Sequence, residues 1–98
     1  MQKETIIHLQ KTFEEYAQIV EGIEFWYARD LQKLLEYDEW RNFLNVIEKA
    51  EISCKNAGQN MADHFVDINK TISMPKGASK EIIDFMLTRY ACYLIAQN

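Results

Sequence analysis

The sequence predicts one α+β domain, mainly helical, in which a helix-turn-helix-like pair stands beside a small, wing-like β-hairpin. Three observations predict it. Apolar residues from Trp40 to Ala57 recur on a single helical face. A short Leu-rich helix ends in a tight break just before that face begins. Two β-compatible stretches flank the turn residues Pro75 and Gly77. A chain of 98 residues, 48% hydrophobic, buries enough apolar surface for one core and not for a second.

Near the N-terminus Ile6, Leu9, Phe13, Tyr16 and Val20 recur every three or four residues, with Lys3, Glu4, Lys11, Glu14 and Glu15 on the other side. That period predicts an amphipathic helix over residues 5–19, packed on the core. The same seam is where a homodimer would form if the helix paired with a second copy. Glu21 and Gly22 interrupt the period, and the β-formers Ile23-Glu24-Phe25-Trp26-Tyr27 predict a short strand. A short helix follows from about Ala28, turning Leu31, Leu34 and Leu35 inward and Arg29, Asp30, Gln32 and Lys33 to water. Glu36-Tyr37 breaks it, and Asp38 is the candidate N-cap of the next helix.

That next helix spans residues 39–57: Trp40, Phe43, Leu44, Ile47, Ala50, Cys54 and Ala57 share a face, and Gly58 follows as the C′ residue. Asn60 is placed to cap a single turn carrying Asp63, His64 and Phe65. Residues 70–74 and 81–87 read as the two strands of the hairpin, joined through residues 75–80. Thr88 caps a last helix over Tyr90-Ala91-Cys92-Tyr93-Leu94-Ile95-Ala96. Its stop at Asn98 reads as a domain edge within a longer protein.

The net charge of -4 argues against a general polyanion binder, because phosphate affinity comes from Lys and Arg. The distribution is uneven, however. The stretch from Asn69 to Lys80 holds three lysines and no acid, whereas acids outnumber bases in the chain before it. No run approaches the roughly 18 apolar residues of a membrane span, and no signal-peptide core opens the chain, so it reads as soluble and cytoplasmic, without a membrane partner. Cys54 and Cys92 lack a Cys-x-x-Cys spacing and read as buried thiols in a reducing compartment.

Several ordered motifs are more specific. Phe25-Trp26-Tyr27-Ala28-Arg29-Asp30-Leu31, the spacing Leu34-Leu35-x-Tyr37-x-x-Trp40-x-x-Phe43, Val46-Ile47-Glu48-Lys49-Ala50, Asp63-His64-Phe65 and the closing LTRYACYLIAQN together resemble the N-terminal domain of the DNA-damage-inducible protein D family. That family is related to the N-terminal domains of BRO proteins and phage antirepressors. The resemblance covers roughly residues 12–98 and implies a bacterial or phage-derived regulator in the response to DNA damage, of the SOS type. It also implies a chain that continues past Gln97-Asn98 into a further helical region. BRO-type domains are associated with DNA binding, and protein D with modulating RecA-type recombinase filaments. The family carries no catalytic motif to transfer. Two departures stand out: Glu36 occupies a position where the family has Gly, and Met74-Pro75-Lys76-Gly77 is stiffer than the family's Gly-Ser-Gly-rich turn.

Three functions compete for these residues. Catalysis is excluded first: neither cysteine sits beside a base, Glu14 and Glu15 are adjacent and so do not face each other, and Asp63-His64 has no further metal ligand nearby in sequence. No enzyme, cofactor or metal is expected. DNA binding would use Arg29, Lys33 and Arg41 around the helical turn and Lys70, Lys76 and Lys80 on the wing for phosphates, with Arg41, Asn42 and Asn45 reading base edges. Asp38, Glu39 and Glu48 oppose this, and the bland reading of the lysines is a solvated turn guarding an edge strand. Protein docking, for example on a recombinase filament, would use the first helix and exposed aromatics at Trp26 and Tyr27, although Trp26 and Trp40 at this spacing read as core anchors. The expectation is a non-enzymatic, DNA-associated module with DNA as partner.

Overall fold

The structure, a computed structural model, describes residues 12–97. The α+β class is as expected. Residues 12–15 are helical and lead into β1 (Gln18–Val20) and β2 (Ile23–Tyr27), followed by α1 (Ala28–Leu34), α2 (Trp40–Asn56) and the single turn α3 (Met61–His64). Then come β3 (Phe65–Ser73), a 3-10 turn at Pro75–Gly77, β4 (Ser79–Leu87) and α4 (Arg89–Ala96). The strands form one antiparallel sheet in the order β1-β2-β4-β3.

The helix expected over residues 5–19 lies partly outside the described residues, and its described end differs. Helical residues stop at Glu15, and Gln18–Val20 pair with Ile23–Phe25 instead. Glu21 and Gly22 both take positive φ, 53° and 78°, which makes a two-residue hairpin turn matched to the twist of the strands. Backbone pairing to β2 thus overrides the helical spacing of Tyr16 and Val20.

Helix α1 ends in a Schellman motif: Tyr37 N–H donates to Gln32 O and Glu36 N–H to Lys33 O, with Glu36 at φ 63° in the place glycine usually fills. Helix α2 ends the same way, Gln59 N–H reaching Cys54 O and Gly58 N–H reaching Lys55 O, with Gly58 at φ 80°. Its N-cap is Glu39, which makes no side-chain cap bond, so Asp38 does not serve as the cap. Asn60 does cap α3, accepting from Ala62 N–H, and Thr88 caps α4, accepting from Ala91 N–H.

The core gathers Trp26 and Phe65 from the sheet, Phe85 and Leu87 from β4, Phe43, Ile47, Ala50 and Cys54 from α2, and Ala91, Cys92 and Ile95 from α4. Trp26 is fully buried, so it is an anchor and not a surface aromatic. Its ring stacks on Phe13 at 4.4 Å, and its Nε1–H donates to Phe13 O at 2.8 Å. Among the described residues no helix is long and apolar enough to cross a membrane.

Candidate nucleic-acid interface

The hairpin is longer than the sequence suggests. β3 and β4 pair without a break from Phe65 opposite Leu87 to Ser73 opposite Ser79, so Phe65–Asn69 belong to the ribbon too. Asp67 and Asn69 are turn-type residues, but the ladder to β4 decides their conformation. The root is buried through Phe65, Asp84, Phe85 and Leu87, while residues 71–81 are exposed throughout. The ribbon therefore projects as an arm. At its tip Met74 N–H donates to Ala78 O at 2.8 Å, and Lys76 and Gly77 take positive φ, 65° and 76°. Lys76 and Lys80 extend from this arm, and among the described residues neither has an ion pair.

Lys70 is placed differently. Its ammonium lies 2.6 Å from Asp84 Oδ2 and 3.4 Å from the centre of the Tyr27 ring. Asp84 is fully buried, and its Oδ1 accepts the backbone N–H of Arg29 at 3.0 Å and of Phe85 at 2.8 Å. Because Tyr27 offers α1 no cap, Asp84 supplies one from across the sheet, and Lys70 neutralises the carboxylate. Arg29 is likewise engaged: its Nε and Nη2 both donate to Ile83 O, and its guanidinium stacks 3.8 Å from the Trp40 ring. Lys70 and Arg29 thus hold the arm's root to α1 and α2.

Lys33 is exposed on α1, and Arg41, Asn42 and Asn45 are exposed on the first turns of α2. The Arg41 guanidinium stands 3.5 Å from Glu39. Further along, Glu51 is held above its usual carboxylate range, first by burial and then by the charges of Asp67 and Glu48. The middle of α2 is thus acidic, and at its N-terminal end Arg41 stands among Asp38 and Glu39. This end adjoins the arm's root, where Trp40 faces Phe85 at 6.2 Å between ring centres.

Two arrangements escaped the sequence reading. Arg89 forks between Glu14, which it grips with both terminal nitrogens, and Glu24, at 3.1 and 3.0 Å, with the Trp26 ring 4.9 Å away. It ties the residues before β1 to β2 and α4. His64 meets Thr88 through Nδ1 and Oγ1 at 2.7 Å, a side-chain bond between α3 and the cap of α4. No sequence signal marks either, since their partners lie 24 or more residues apart. Cys54 and Cys92 are free and buried. Burial, opposed by Arg89, pushes the Cys92 thiol up to about 12, and burial with Glu51 raises Cys54.

The profile of the BRO family, N-terminal domain, matches residues 15–98. Over 87 residues the chain is 42% identical to the DNA damage-inducible protein D of Escherichia coli strain K12, an alignment that takes in 88% of this chain and 32% of that protein. The chain thus spans about a third of that relative's length. No solved structure matches it at a significant level.

Proposed function

The chain belongs to the BRO family as an N-terminal domain, and from that premise we propose that it is a non-enzymatic, DNA-damage-related regulatory module that contacts duplex DNA through the β3–β4 arm and the N-terminal end of α2. The link to DNA damage rests on its likeness to the DNA damage-inducible protein of Escherichia coli, and a role in an SOS-type response follows from the same likeness. The observation that carries the DNA reading is the arm itself, a two-stranded ribbon exposed over residues 71–81 with Lys76 and Lys80 unpaired among the described residues. A ribbon of two antiparallel strands has the width to enter the major groove, about 12 Å across.

In this reading Lys76, at the tip, and Lys80, on the Ile72 face of the ribbon, meet phosphates. Arg41, Asn42 and Asn45 supply forked or amide groups for base edges, and Lys33 adds a flanking cation. The pair α1–α2 plays the part of a helix-turn-helix and the arm that of its wing. Arg29 and Lys70 contribute by holding the arm in place. Fluorescence anisotropy on labelled duplex and single strands, with Lys76 and Lys80 replaced by Gln, tests it.

The second reading is a docking module for another protein, a RecA-type recombinase filament being the candidate. It is favoured by the β1–β2 tip, where Ile19, Val20 and Ile23 are each more than half exposed. Absence of DNA binding even at low salt would support docking over the first reading.

A further inference from the structure

We propose that the outer edge of β3 pairs antiparallel with β3 of a second copy, about a two-fold axis at Asn69, joining two sheets into one. β3 is the last strand in the order β1-β2-β4-β3, and among the described residues no strand lies beyond it. It runs nine residues with a continuous register to β4, no bulge and no proline. Strands of that length usually carry a device that blunts the edge, such as an outward lysine, a kink or a cover. Here the strand's one lysine, Lys70, is drawn across Tyr27 to Asp84 and does not guard the edge.

The backbone groups that face outward can be assigned. Met74 N–H donates to Ala78 O and Thr88 N–H donates to His64 O, so the even-numbered residues from His64 to Met74 turn their backbone groups to β4. Phe65, Asp67, Asn69, Thr71 and Ser73 therefore present N–H and C=O to the open side. A partner strand must match the alternation of β3, with Val66, Ile68 and Ile72 on one face and Asp67, Asn69, Thr71 and Ser73 on the other. β3 has that pattern itself.

Asn69 is the midpoint of the strand, so an axis there pairs all nine residues and offers about ten N–H···O bonds. Val66 then lies opposite Ile72 of the second copy, Ile68 opposite Lys70, and Asp67 opposite Thr71. No like charges are directly opposed, and each Lys70 is already neutralised by Asp84. An axis at Lys70 or at Ile68 would leave two residues of each strand unpaired. Pattern and length thus select both the occupant and the register.

The test is analytical ultracentrifugation of the chain across micromolar to millimolar concentrations, with Asn69→Pro and Asn69→Lys. Proline removes only an outward N–H, and lysine sets two like charges on the axis while remaining exposed. The expected result is a dimer whose dissociation constant rises at least about tenfold in both variants, with native circular dichroism kept. If proline perturbs the fold, the lysine variant alone decides. A wild-type chain that stays monomeric, or a dimer unmoved by Asn69→Lys, overturns the proposal.

Discussion

The Lys70 ammonium lies 2.6 Å from Oδ2 of Asp84, a carboxylate without solvent exposure. The two residues sit diagonally on one face of the hairpin, since Ile68 is opposite Asp84 and Lys70 opposite Ile82. This pair fixes the arm's root, because the same carboxylate caps α1 through Arg29 N–H.

Removing one partner of that pair leaves a buried charge or unmet N–H groups. Lys70→Gln is expected to lower stability by about 3 kcal/mol, and Asp84→Ala by a similar amount through loss of the cap at Arg29 N–H and of the acceptor for Phe85 N–H. Urea unfolding measures both. Under folded conditions Lys70→Gln should weaken DNA binding only through a loosened arm, and less than changes at Lys76 and Lys80 do.

Glu36 holds the left-handed position that closes α1, at φ 63°. Glu36→Gly should stabilise the domain by about 0.5–1 kcal/mol, raising the melting temperature by a few degrees in a scanning experiment. A loss of stability would mean that the Glu36 side chain contributes more than its backbone costs.

Arg89 holds Glu14 below its ordinary pKa of 4.5, chiefly by hydrogen bonding. A carboxylate lowered on folding adds stability that is fully present above its unfolded pKa and is lost as pH falls through the lower folded value. The native chain should therefore lose melting temperature across that acid window. Arg89→Gln should show a flatter slope there, and added salt should weaken the difference because the contact is exposed.

Buried thiols raised in pKa are poor nucleophiles at neutral pH. Cys92, pushed up to about 12, and Cys54 should both resist a thiol-specific reagent in the folded chain and react fully in denaturant. Rapid labelling of either one while circular dichroism remains native would contradict the packing described for α2 and α4.

Much of this architecture was legible in the sequence where local chemistry sets it. The face of α2 from Phe43 to Cys54, the glycine at Gly58, and the caps at Asn60 and Thr88 each depend on neighbours within a turn or two. β1 was hidden because three residues at the end of a helical period carry little signal, and their state is decided by pairing across the Glu21-Gly22 turn. The roles of Lys70 and Arg29 were hidden for a different reason. Both look like free cations in sequence, and only the hairpin register and the α1–β4 contact bring Asp84 and Ile83 to them.

The most direct test of the DNA reading is the salt dependence of anisotropy with a labelled duplex, comparing the native chain with Lys76→Gln/Lys80→Gln. If both lysines meet phosphates, the variant should bind more weakly at low salt, and its plot of log affinity against log salt should be shallower by about 2. Equal affinity and equal slope for the two proteins would contradict the arm as the DNA contact.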